Sequence, residues 1–137
     1  MKKVTQTIGI DVSKATLDAT IRTINVHKQF SNDTKGFKQI ISWLTKQKIN
    51  LEETLICFEH TGWYCLLLSY FLYENNHRYC CINAIEIKRS MGLKRGKSDK
   101  ADAWEIANYA WLRRDELVPS TPPAKKLIEL QRMMSLR

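Results

Sequence analysis

Val4-Thr-Gln-Thr-Ile-Gly-Ile-Asp-Val-Ser-Lys-Ala-Thr-Leu-Asp-Ala-Thr-Ile-Arg22 is the stretch whose reading decides the fold. Its first half is strand-like through Ile8 and Ile10, and Gly9 lets neighbouring backbone approach closely. Asp11 then ends a core strand with its carboxylate at the rim of a sheet. In the second half Leu17, Ala19 and Ile21 alternate with Asp18, Thr20 and Arg22. That period of two predicts a second strand, paired with the first as an antiparallel hairpin.

Outward from this hairpin the pattern continues as an α/β protein. A third strand is expected over Asn25 to Phe30, followed by turn chemistry at Asn32 and Asp33. From Thr34 the period changes, with Phe37, Ile40, Ile41 and Leu44 at helical spacing, which predicts an amphipathic helix lying on a sheet. Thr54-Leu-Ile-Cys-Phe-Glu59 is too short for a typical helix and reads as a fully buried strand. Trp63 to Tyr73 predicts a largely buried helix, and Arg78-Tyr-Cys-Cys-Ile-Asn83 a fifth strand. Glu86 to Lys100, with two glycines and six cations, reads as a basic, mobile loop. Ser98 is the expected N-cap of a final helix from Asp99 to about Arg114. The order is βββαβαβα, a mixed sheet with flanking helices.

Four acids stand where phosphodiester chemistry would use them. Asp11 and Glu59 each close an apolar strand, and Asp99 and Asp102 lie three residues apart on the expected helix, hence on one face. Each has a plainer explanation alone: a carboxylate after a strand caps a turn, and acids in a helix's first turn complement its dipole. Together they converge, because strand ends on one edge of an α/β sheet are where ligands bind. Four clustered carboxylates repel unless cations neutralise them, and hard oxygen donors suit Mg²⁺, or Mn²⁺ in its place, over Zn²⁺. Two such ions can activate a water or 3′-hydroxyl and stabilise the leaving oxygen.

Ile8-Gly-Ile-Asp-Val-Ser-Lys14, Phe58-Glu-His-Thr-Gly-Trp63 and Gly96-Lys-Ser-Asp-Lys-Ala-Asp-Ala103 carry a resemblance. Their order and spacing resemble the N-terminal domain of the DEDD-type insertion-sequence transposases, the group that includes the Piv-like site-specific DNA invertases. The resemblance covers about Val4 to Arg114. It implies a RuvC-like, ribonuclease H-type fold, with Asp11, Glu59, Asp99 and Asp102 as the catalytic, metal-holding tetrad of a DNA transposase or recombinase. It also implies a helical linker and a second domain supplying a serine nucleophile, in many members a structured guide RNA, and a homo-oligomer in a bacterial cytoplasm. His60 departs from the family pattern, which more often has a small residue there, and reads as a passive surface histidine.

On this basis residues 1–115 form the catalytic domain and 116–137 a linker and the start of an amphipathic helix. Pro119-Ser-Thr-Pro-Pro123 leads into Ala124 to Arg137, where Leu127, Leu130 and Met134 make a stripe that could pair as a coiled coil. The second domain is expected to be absent from this chain.

Composition sets the outer limits. The chain has 137 residues, 44% hydrophobic and 26% charged, as one soluble domain would. Its apolar stretches fall short of the roughly 20 residues that cross a bilayer, and there is no secretory h-region, so a cytoplasmic site without membrane contact is expected. Cys57, Cys65, Cys80 and Cys81 lack paired metal-binding spacing and read as buried reduced thiols. The net charge of +8 points to a polyanionic partner. Lys88, Arg89, Lys94, Arg95, Lys97 and Lys100 are the expected phosphate contacts, with a solvated basic loop as the alternative. Trp63 and Trp104 could stack on bases, although core packing is the expectation for both.

Two rival classes fit parts of the pattern. A non-catalytic RNA- or DNA-binding module would use the basic segment alone, and an actin-like ATPase or sugar kinase can also open on Gly-Ile-Asp. The second lacks Gly-rich phosphate loops and the length for two lobes.

Overall fold

The computed structural model describes residues 3–91 and 102–124. A five-stranded sheet carries β1 (Gln6–Val12), β2 (Thr16–Ile21), β3 (Val26–Ser31), β4 (Thr54–Glu59) and β5 (Tyr79–Ile82) in the order β3-β2-β1-β4-β5. The hairpin strands β1, β2 and β3 are antiparallel, whereas β4 and β5 run parallel to β1. Helices α1 (Thr34–Lys46), α2 (Leu66–Glu74), α3 (Ala84–Met91) and α4 (Ala103–Leu112) flank it, in the arrangement of a ribonuclease H-like fold.

Strand alternation divides the molecule into two cores. Ile8, Ile10, Leu17, Ile21, Ile56 and Phe58 face one side of the sheet and pack with Phe37, Ile40, Leu44, Leu68 and Leu72 of α1 and α2. Leu55, Cys57, Cys80 and Ile82 face the other side, under Ile87 of α3 and Ile106, Tyr109 and Ala110 of α4. Helix α1 starts where Asp33 accepts a hydrogen bond from Gly36 N at 2.8 Å, an N-cap whose partners hold the Asp33 carboxyl below its ordinary range.

Three expectations require correction. The stretch from Glu86 is not loop from its start: residues 84–91 are helical, because Asn83 Oδ1 accepts from Ile85 N at 2.8 Å and Ile87 is buried in the second core. The expected remainder of the basic loop, 92–100, lies outside the described residues. Helix α4 starts at Ala103 behind Asp102, not behind Ser98. Asp102 Oδ1 accepts from Glu105 N at 2.8 Å while Glu105 Oε1 accepts from Asp102 N at 3.2 Å, a reciprocal capping box.

The third concerns Trp63 to Tyr73, which is not one buried helix. Residues Gly62–Cys65 form a short 3₁₀ turn before α2, and only the stripe containing Cys65, Leu68, Ser69 and Leu72 is buried. The wet face carries Trp63, 50% exposed, and Tyr64, and Trp104 is 39% exposed. Neither tryptophan is core.

All four cysteines are free thiols; Cys57, Cys65 and Cys80 are buried and Cys81 partly so. After α4 the chain reaches the free edge of β5, where Ser120 N donates to Tyr79 O at 2.7 Å and Cys81 N to Ser120 Oγ at 3.0 Å. The expected amphipathic stripe through Leu127, Leu130 and Met134 lies outside the described residues.

Candidate active site

Asp11 follows Thr7 and Gly9 on one face of β1, and α4 crosses that face. The seam is lined by small groups. A Cβ at Gly9 would collide with the Ala103 carbonyl and stand 2.5 Å from Ala107 N, and Thr7 Oγ1 donates to Ala107 O at 2.8 Å. Glycine is required here because backbone meets backbone. The consequence is positional: without a Cβ at Gly9, α4 lies close on β1, and its N-cap Asp102 lines the same groove as Asp11.

Asp11 and Asp102 line one open groove of about 530 Å³. Glu59 ends β4 one residue past the Ile10–Phe58 pair, on the strand adjacent to Asp11. It is 5% exposed and does not line the groove, yet it follows Leu55 and Cys57 on the face that α4 covers. Burial chiefly, with the neighbouring Cys80 thiol and Glu59 carboxylate, pushes the Cys57 thiol well up. Asp99 lies outside the described residues, as do Lys94, Arg95, Lys97 and Lys100.

The turn beyond Glu59 is held from both sides. Gly62 adopts a φ of +63°, with open space around it, so glycine serves conformation there. Asn32 Nδ2 donates at 2.8 Å to Ser13 O of the β1–β2 turn and to Tyr64 O, tying the two strand-end turns together. Cys65 accepts from Thr61 N at 3.5 Å. A hydrogen bond with the Cys81 thiol, then those from Thr61, lower Cys65 to about 6 while Cys81 is raised. His60 is exposed, and its Nδ1 accepts from Gly62 N at 3.3 Å.

Lys88 and Arg89 occupy the last turn of α3. Arg113 Nη2, at the C-terminal end of α4, donates to Ser90 Oγ at 3.2 Å, so these cations lie toward that end. Asp102 is at the other end, roughly 15 Å away along a ten-residue helix.

The groove also contains residues that the sequence did not single out as functional. Asp18 pairs directly with Asp11 across the hairpin, and Thr20, His27, Lys28 and Gln29 continue the wall to Trp104. The polar alternation of Asp18 and Thr20 was a usable signal; β3 has none, because His27, Lys28 and Gln29 are all exposed on an edge strand.

Among the described residues no group of three or more His, Cys, Asp and Glu side chains stands close enough to hold a metal ion. The donors that the groove does present, Asp11 and Asp102, are hard carboxylate oxygens, and the thiols lie elsewhere. Asp102 Oδ1 is engaged by the helix cap, which orients the carboxylate and leaves its second oxygen for a ligand. Among the described residues no helix is long and apolar enough to cross a membrane.

Residues 8–137 match a family model described as a transposase, that of the DEDD transposases of the IS110 type. The chain is also similar to two curated proteins named pilin gene-inverting protein. The one from Moraxella lacunata is 32% identical over 107 residues, 74% of this chain and 33% of its own length. The one from Moraxella bovis is 31% identical over the same extent. The chain thus spans about a third of the length of these relatives.

Proposed function

This chain belongs to the DEDD transposase family of the IS110 type, and we propose that it is the catalytic domain of a DNA transposase or recombinase. The observation that carries the reading is the shared groove of Asp11 and Asp102 at the strand-end rim, set by the Gly9 contact. Asp11, Glu59, Asp99 and Asp102 would hold Mg²⁺, with Mn²⁺ as a substitute, which would supply Lewis-acid activation of the attacking oxygen and stabilisation of the leaving one. The chain's own contribution is orientation. The capping box fixes Asp102, and burial of Glu59 strengthens its interaction with a cation.

Lys88, Arg89, Lys94, Arg95, Lys97 and Lys100 contact phosphates in this reading and give affinity without sequence readout. The domain is 1–115, the segment 116–137 leads to a second domain, and the whole protein cuts and rejoins DNA as a homo-oligomer directed by a structured RNA. The name of the relatives, pilin gene-inverting protein, accords with rearrangement of DNA.

The rival, a non-catalytic nucleic-acid module, draws on one observation: the Asp102 carboxylate already has a structural task as helix cap. Metal removal separates the two. If the carboxylates hold ions that admit phosphate, EDTA weakens DNA binding by roughly tenfold, and Asp11→Asn abolishes that sensitivity. Binding that ignores both EDTA and Asp11→Asn would overturn the catalytic reading in favour of the module.

A further inference from the structure

Helix α4 covers β1 and reaches β2, where Thr20 is fully buried, but leaves Asp18 and the same face of β3 accessible beside it. Alternation puts Asp18 and Thr20 of β2 on that face, and register puts Gln29 and His27 of β3 opposite them. These side chains are already paired: Gln29 Nε2 donates to Asp18 Oδ1 at 3.0 Å, and Thr20 Oγ1 lies 2.6 Å from His27 Nδ1. Pairing fixes their orientation and leaves Gln29 Oε1 and His27 Nε2 for a ligand. Trp104, two residues after the Asp102 cap, forms the facing wall and remains exposed although its helix neighbours Ala103 and Ile106 are buried.

From this geometry we infer that the ledge formed by Asp18, His27 and Gln29, with Thr20 buried beneath it holding His27 and with Trp104 facing it, binds one unpaired nucleotide of a DNA strand next to the phosphate presented to Asp11 and Asp102. The inference rests on the catalytic reading above and adds the substrate's conformation at the site. Two features select this ligand. The groove's roughly 530 Å³ falls in the range of small-molecule sites, enough for a nucleotide and too small for a duplex. An exposed indole can stack on a base only if that base is free of its own helical stack.

The test is fluorescence anisotropy of the chain with a labelled twelve-nucleotide single strand, the same sequence as a blunt duplex, and its RNA counterpart, in Ca²⁺ at fixed low salt. Trp104→Ala is expected to weaken single-stranded DNA about tenfold or more, with duplex binding changed less than threefold. Trp104→Phe, which keeps a ring, should recover most of that loss, and Tyr73→Ala, an exposed aromatic far from the groove, should change nothing. Gln29→Ala with His27→Ala should weaken the single strand as well. Unchanged single-strand binding in Trp104→Ala overturns the ledge while leaving the DNA reading intact. An equal loss for strand and duplex overturns the claim of an unpaired nucleotide, and a Trp104-dependent preference for RNA overturns the choice of DNA. If the parent chain binds neither form of DNA, the catalytic reading itself fails.

Discussion

A Cβ on Gly9 would stand 2.5 Å from the backbone nitrogen of Ala107, so strand β1 and helix α4 touch backbone to backbone. Two residues along β1 on the same face is Asp11, and one turn back along α4 from Ala107 is the Asp102–Ala103 start of the helix. A fold contact and the site geometry are therefore the same contact.

Gly9→Ala should destabilise the domain by about 1–3 kcal/mol, because the atoms it meets are backbone and cannot rotate aside. Urea denaturation of the variant should show a lowered midpoint with little change in slope. The same variant should lose metal-sensitive DNA binding even where it remains folded, since α4 must lift from Asp11.

Asp102 should separate into two functions on substitution. Asp102→Ala removes the cap and costs roughly 1 kcal/mol; Asp102→Asn keeps a capping oxygen and costs little. Both should abolish metal-dependent cleavage by the whole protein, so thermal unfolding beside a cleavage assay on it distinguishes them: loss of activity at unchanged melting temperature in Asp102→Asn identifies the carboxylate's charge as functional.

Replacing Lys88 and Arg89 with alanine should reduce the salt dependence of DNA affinity by about 1–2 units of log–log slope, as expected for two phosphate contacts. The loss should be similar for unrelated DNA sequences. A slope that does not move would assign these side chains, at the far end of α4, to the solvated surface.

His77 gives a pH signature. Burial lowers its pKa, so the folded state resists its protonation more than the unfolded state does. Its contribution to stability is complete above the ordinary value of 6.5 and is lost as pH falls below it through the lowered folded value. His77→Gln should flatten the stability profile in that acidic window, measured by denaturation at several pH values.

The fold was legible wherever one period dominated. Thr54–Glu59 is apolar at almost every position because both of its faces are buried, and α1 carries its stripe intact. The start of α4 differs from the sequence reading because Ser98 has Ala101 three residues on, whereas Asp102 with Glu105 three residues on is a complete capping box. Helix α3 was hidden by its lysine and arginine, although Asn83 and Ile87 supply a cap and a buried anchor. Asp11 and Glu59 could be singled out because each ends an apolar strand. Asp18 carried a signal in its alternation with Thr20, but His27 and Gln29 could not be found, since they join the site only through cross-strand register, and Trp104 faces solvent because α4 stops short of β3.

Calorimetric titration of Mn²⁺ into the chain, beside Asp11→Asn and Asp102→Asn, tests most directly whether strand β1 and helix α4 build one cation site. The account predicts saturable binding in the parent that both variants lose while keeping the parent's melting temperature. Mn²⁺ binding that survives in either folded variant would contradict it, because Asp11 and Asp102 would then not share an ion.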